Sequence, residues 1–155
     1  MTKEELIIKE KEIREKAKID GITHFSSGIA IINKDKLLVP RRQIDDFLGG
    51  NYELPGGGIE QGETFFDGLT RELKEETGLD INNIVSLLKG FDYSTDTKSR
   101  VRQVNFLVTT KTHDITLSHE HDAFLWIGID DINNLTMTAK MRECIQYIFD
   151  TSIKK

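Results

Sequence analysis

A single cysteine, Cys144, among 155 residues excludes an internal disulfide, and points to a reducing compartment with the thiol in the core. Two prolines, and 8 % aromatics spread from Phe25 to Phe149, match neither a collagen-like nor a disordered chain. No apolar run approaches the roughly 20 residues that span a bilayer. The start, Met1-Thr2-Lys3-Glu4-Glu5, lacks the basic opening and apolar centre of a signal peptide, so a cytoplasmic protein that stays off membranes is expected. Basic residues are outnumbered, 21 against 26, for a net charge of −5. That balance disfavours a protein that holds nucleic acid by neutralising many phosphates, but it does not bar a nucleotide as substrate.

What is present suits one compact domain. At about 150 residues per domain there is little room for a second, and 37 % hydrophobic residues supply a core. Residues Lys3 to Lys18 place Glu5 and Lys9, Glu10 and Arg14, and Glu12 and Lys16 at i, i+4 with the acid first, a helix-supporting pattern. The apolar content there is thin, so residues 1–20 read as a charged helical extension on the surface, or at a dimer contact, of a domain spanning 21–155. The segments His24 to Ile32 and Lys36 to Arg42, separated by Asn33-Lys34-Asp35, read as a β-hairpin. A glycine-rich stretch follows from Gly49 to Gly58. Thr64 to Thr77 then has helical spacing, closed by Gly78, a residue suited to a helix end. Strands are expected at Ile84 to Tyr93, Val101 to Thr110 and Ala123 to Ile129. A last helix, Thr138 to Phe149, puts Met141, Ile145, Ile148 and Phe149 on one face. Interleaved strands and helices predict an α/β fold, a mixed sheet covered by helices.

The helix after the glycines carries the chemistry. Glu72, Glu75 and Glu76 span an arc of about 100°, beside an apolar arc of Phe65, Phe66, Leu69 and Leu73. Glutamates favour helices and commonly line solvated faces, so this edge alone is weak evidence. Its surroundings change the weight: Thr64 and Asp67 form a helix start, and glycines just upstream let backbone approach a phosphate or a metal. Carboxylates so close repel unless a cation sits among them, and oxygen ligands alone favour Mg²⁺ or Mn²⁺. Arg71 offsets part of the repulsion.

Gly57 to Leu79 reads GGIEQGETFFDGLTRELKEETGL and resembles the Nudix box, with Gly57, Glu63, Arg71, Glu72, Leu73, Glu75, Glu76, Gly78 and Leu79 at its fixed positions. Seven strictly specified residues, each common at about 7 %, coincide by chance on the order of 10⁻⁸ per starting position, so the match is not accidental. The likeness extends from roughly His24 to Phe149. It takes in Tyr52-Glu53-Leu54-Pro55-Gly56-Gly57, with Tyr52 where tryptophan is more typical, and Glu120 ahead of Trp126.

The resemblance implies a Nudix-type α/β/α sandwich with a central mixed β-sheet, and a hydrolase that cleaves a nucleoside diphosphate linked to another group with Mg²⁺ or Mn²⁺. It implies metal ligation by Glu72, Glu75, Glu76, Glu120 and the Gly56 carbonyl, and a general base among Glu72, Glu76 and Glu120. Arg71 would orient a glutamate, with Glu63 as its partner. Arg41, Arg42, Arg100 and Arg102 are candidates for phosphate or base contacts, and Phe47, Tyr52 and Tyr93 for stacking on a base. His113, His119 and His121, with no cysteine near them, read as solvated loop residues rather than zinc ligands. The expected substrate is a small nucleotide, first a modified nucleoside triphosphate such as 8-oxo-dGTP, with no stable nucleic-acid partner and a monomeric or homodimeric state. The alternatives are a nucleotide-sensing module without turnover, against which the intact box argues, and a hydrolase of nucleotide sugars or ADP-ribose.

Overall fold

The computed structural model describes residues 1–153. In chain order the elements are α1 (Lys3–Ile19), β1 (His24–Asn33), β2 (Lys36–Arg42), β3 (Gly58–Ile59), α2 (Phe65–Thr77), β4 (Ile81–Ser94), β5 (Arg100–Thr110) and β6 (His121–Ile127). A 3₁₀ turn (Ile129–Asn134) and α3 (Ala139–Ser152) follow. The sheet runs β4-β5-β1-β2-β6, with β3 also paired to β1. β1 and β5 are parallel, whereas β1 with β2, β2 with β6 and β4 with β5 are antiparallel. The mixed sheet with helices on both faces is the expected α/β/α sandwich. Among the described residues no helix is long and apolar enough to cross a membrane.

Side-chain alternation builds the two layers. Ile29 and Ile31 of β1 and Val104, Phe106 and Val108 of β5 pack with Phe65, Leu69 and Leu73 of α2. Ala30 between them, with Leu37 and Val39 of β2, packs on Met141, Ile145, Ile148 and Phe149 of α3. Burial on both faces explains why β1 and β2 read as near-continuous apolar runs. The β1–β2 connection is a two-residue turn: Asn33 pairs with Lys36, and Lys34 and Asp35 both take positive φ, 51° and 64°, which matches the twist of the paired strands.

Helix α1 is more than a surface rod. Leu6 is buried within the α2-side core and Ile13 packs against it, while Ala17 is also buried. Its polar residues reach the site-bearing helix as well. Glu10 Oε1 accepts the first free N–H of α2, that of Phe65, at 2.6 Å, and Arg14 donates to the Glu63 carbonyl at 2.9 Å. The Arg14 guanidinium lies 4.8 Å from the Phe65 ring centre and 5.2 Å from that of Phe25.

β1 and β2 pair at their shared turn and then diverge. The gap is filled by the segment Pro55 to Gly57: Ile29 donates to the Pro55 carbonyl and Ser27 to the Gly57 carbonyl, both at 2.8 Å. This insertion, with β3 continuing it, is how the glycine-rich loop becomes part of the sheet floor directly before α2.

Candidate active site

The loop and α2 meet at two glycines. Gly56 has φ +142°, and a Cβ there would lie 2.1 Å from the Ser27 carbonyl oxygen. One at Gly57 would lie 2.5 Å from Glu72 Oε2. Only glycine permits this approach of backbone to strand and carboxylate. The start of α2 is fixed by Thr64, whose hydroxyl accepts from Asp67 N at 3.1 Å, and its end by Gly78 at φ 73°, as the sequence predicts.

Arg71 organises the acidic edge. It holds Glu63 in a two-bond fork, Nε to Oε2 and Nη2 to Oε1, each 2.8 Å. Nη1 reaches Glu72 Oε1 at 2.9 Å and Glu75 Oε2 at 3.4 Å, and Nη2 also donates to the Gly58 carbonyl at 2.9 Å. The guanidinium and the Glu60 N–H hold the Glu63 carboxyl down at a pKa of about 2, against an opposing effect of burial. Among the described residues no three acidic, histidine or cysteine side chains converge on one point. Glu63, Glu72 and Glu75 are each tied to Arg71, whereas Glu76 is turned to the Gly56 N–H.

Glu76 departs from expectation. Sequence spacing puts it on a solvated edge, but it is 4 % exposed, and its Oε2 has the Gly56 N–H as partner at 2.9 Å. Burial pushes its pKa up to about 9, with the charges of Glu72, Glu53 and Glu120 adding to the rise and the Gly56 N–H opposing it. A finer reading of the helical wheel finds this: at 100° per residue Glu76 falls between Phe65 and Leu69, roughly 20° from each. Glu72 is likewise raised, first by burial, against the pull of Arg71. Glu75 stays at the rim, its side chain 59 % exposed. Glu120 is exposed on the loop before β6, where its carbonyl accepts from Gln43 N at 2.9 Å. It adds to the field at both Glu72 and Glu76.

Beside this edge opens a cavity of about 390 Å³ lined by Gly56 and Gly57, by Ser26, Ser27 and Gln103 of the sheet, and by Leu54, Tyr93 and Met141. It lies at the end of the sheet where β1 and β2 diverge. The family model described as NUDIX domain matches residues 23–148. The chain belongs to the Nudix family. Bis(5'-nucleosyl)-tetraphosphatase [asymmetrical] of Rattus norvegicus is 30 % identical over 97 residues, 59 % of this chain and 65 % of that protein. The 8-oxo-dGTP diphosphatase of Proteus vulgaris is 33 % identical over 64 residues, 41 % of this chain and 57 % of that one. The match thus spans less than two thirds of the length of either relative. The solved structure of the MutT protein from Methanosarcina mazei Go1 superposes with a TM-score of 0.73 at 26 % identity, covering 85 % of this chain and 96 % of that one.

Within this Nudix domain the outlying candidates divide. Arg42 and Tyr93 line the cavity, Arg42 donating to Glu53 at 3.3 Å and Tyr93 to Ser26 Oγ at 3.3 Å. Arg41 instead pairs with Asp122 at 2.7 Å. Tyr52 packs against the α3-side core, so neither Arg41 nor Tyr52 is at the cavity. Arg100 is bonded to the Asp20 carbonyl, and Arg102 is taken by Asp92 and Asp20. Phe47 is exposed. His119 is exposed, and His113 stands edge-on to Trp126 at 5.7 Å. His121 is no solvated loop residue: it is buried, and its Nε2 lies 2.9 Å from Glu53 Oε2. No motif in the sequence singles out Glu53 or Gln103. Their signal was a glutamate three residues before Gly56, and a polar residue alternating with apolar ones in a strand covered on both faces.

Proposed function

We propose that this Nudix protein is a pyrophosphohydrolase of nucleoside triphosphates dependent on Mg²⁺ or Mn²⁺, releasing the nucleoside monophosphate and pyrophosphate. The observation that carries the reading is the junction of an acidic helix edge with a cavity of nucleotide dimensions, both built on Gly56 and Gly57. The donor set suits a hard dication: every candidate ligand is an oxygen, and the buried Glu76 lies in the field of three further glutamates with one N–H as partner. Glu72, Glu75, Glu76, Glu120 and the Gly56 carbonyl would hold it. Bound there, it would neutralise the diphosphate and acidify a water.

The chain's own residues supply the rest. Water oxygen bonds to phosphorus, the bridging P–O bond breaks toward the pyrophosphate, and the water proton passes to a carboxylate. Glu72 is suited to receive it at Oε2, because Oε1 is tied to Arg71 at 2.9 Å while Oε2 is the oxygen nearer Gly57, a residue of the cavity wall. Arg71, itself braced by Glu63, sets the angle of that carboxylate. The base occupies the cavity beside Tyr93 and Met141. Relatives named as acting on 8-oxo-dGTP and on bis(5'-nucleosyl) tetraphosphates support a nucleotide substrate. The test is incubation with Mg²⁺ and a panel of canonical and oxidised nucleoside triphosphates, dinucleoside polyphosphates and ADP-ribose, with products identified by mass. No turnover of any of them, or turnover undiminished in excess chelator, overturns the reading.

A further inference from the structure

The floor of the cavity contains a polar relay that the chemistry at α2 does not use. Asn105 is fully buried on β5 and its Nδ2 donates to the Lys89 carbonyl at 3.0 Å and to Cys144 Sγ at 3.0 Å. A main-chain carbonyl only accepts, so the Asn105 amide has one permitted orientation, with Oδ1 turned the other way. There it accepts from Gln103 Nε2 at 2.9 Å. The second amide is thereby set too, since a flipped Gln103 would put two carbonyl oxygens face to face. Gly28 leaves the room for this pair: a Cβ there would lie 2.1 Å from Asn105 Oδ1 and 2.6 Å from Gln103 Nε2.

The consequence falls on Gln103 Oε1. Gln103 is 9 % exposed and lines the cavity. Among the described residues the one buried side-chain polar atom without a partner is His121 Nδ1. Gln103 Oε1, which has no donor among the described residues, is thus not sealed in the interior, and the cavity that Gln103 lines is where a ligand can meet it. In the strand register Gln103 lies beside Ser26 of β1, and Leu54, Tyr93 and Met141 also line the cavity. The cavity as a whole is mixed in character, with Arg42, Glu53 and Thr95 also in its wall, and beside these apolar residues Gln103 offers an acceptor of fixed orientation, the kind of placed polar group that gives a pocket its specificity.

We propose that Gln103 reads the nucleobase, accepting a hydrogen bond at Oε1 from an exocyclic amino group. The pocket would then take adenine, cytosine or guanine nucleotides in preference to hypoxanthine or uracil nucleotides. An oxo group in the same place sets two lone-pair carriers against each other, and the relay to the Lys89 carbonyl stops Gln103 from turning its amide to suit. The inference rests on the nucleotide reading above and adds the residue that discriminates.

The test uses binding of product nucleotides, so it does not depend on turnover. Dissociation constants of AMP, CMP, GMP, IMP and UMP are measured by calorimetry on the intact protein and on Gln103→Met, which keeps the length and removes both polar ends. In the wild type AMP over IMP, CMP over UMP, or GMP over IMP is expected at about tenfold or more, and the ratio falls to near unity in Gln103→Met. A purely structural loss would weaken all five alike and leave the ratio in place, which overturns the assignment, as does a wild type with no amino preference. Should no nucleotide bind, the reading of the cavity as a nucleotide site fails as well; nucleotides that bind without preference sink only the role of Gln103. If Gln103→Met does not fold, the wild type decides: the Gln103 side-chain carbonyl ¹³C resonance moves when the amino nucleotide binds and not with its oxo counterpart, and equal shifts for both overturn the proposal.

Discussion

Glu76 Oε2 accepts the Gly56 N–H at 2.9 Å from inside the protein, where the side chain is 4 % exposed. This bond joins α2 to the loop that fills the gap between β1 and β2, at a point where burial opposes ionisation of the carboxyl.

Glu76→Gln separates the two roles of that carboxyl. The amide keeps an oxygen for the Gly56 N–H, so the fold is retained, while the negative charge offered to a hard cation is lost and turnover at a fixed Mg²⁺ concentration falls steeply. In chelator the folded-state pKa of about 9 stands above the ordinary 4.5. Stability from this group is therefore full below about 4.5 and lost as pH rises through about 9. Thermal melts from pH 5 to 9 in chelator should show the wild type losing ground to Glu76→Gln. Parallel melting curves would contradict the buried placement.

Glu63 has the opposite sign. Its carboxyl is held at about 2 by Arg71, so the stability it contributes is present above about 4.5 and lost as pH falls toward 2. Glu63→Gln should remove that acid-side loss and cost about 1.5–3 kcal/mol at neutral pH, the range for hydrogen bonds to charged groups. Arg71, with its fork to Glu63 broken, keeps its bonds to Glu72 and Glu75 and competes there with a cation. The Mg²⁺ concentration for half-maximal rate should therefore rise more than the rate at saturation falls, as a titration of activity with Mg²⁺ would show.

Much of this was legible in sequence because it is local. The Lys34-Asp35 turn, the Thr64 and Gly78 boundaries of α2 and the apolar face of α3 depend on neighbours within a few residues. The Gly57 to Leu79 motif is likewise contiguous. The unread parts join distant positions. Glu53 meets His121 across 68 residues, Asn105 meets Cys144 across 39, and β3 exists only because the loop lies against β1. No periodicity marks such pairs, and spacing alone groups the Glu76 carboxylate with Glu72 and Glu75 although the helical wheel sets it within the apolar arc.

Helix α1 gives a further prediction, because sequence reading treats it as peripheral while Glu10 caps α2 and Leu6 enters its core. Glu10→Ala removes an acceptor from a helix N-terminus and should cost about 1 kcal/mol, read from a shift in denaturation midpoint with unchanged slope. A chain starting at Gly21 should lose considerably more, since it uncovers Phe65 and Phe25 where Arg14 and Ile13 now lie. Melting indistinguishable from the full chain would return α1 to the status of an appendage.

Glu120 is the test of how the site closes, since it comes from the loop before β6 rather than from α2. Its side chain is exposed, so Glu120→Gln should leave the melting temperature unchanged and any effect belongs to function. If the carboxylate helps hold Mg²⁺, as its field at Glu72 and Glu76 suggests, the half-saturating Mg²⁺ concentration rises and excess Mg²⁺ restores most of the rate. If it is instead the proton acceptor, the rate stays about 10² to 10⁴ lower at any Mg²⁺ concentration. We expect the first pattern, because Glu72 already has an oxygen beside Gly57 that Arg71 does not hold and three helix glutamates with one carbonyl leave a hard cation room for another oxygen. Superimposable Mg²⁺ titrations of wild type and variant would remove Glu120 from the site.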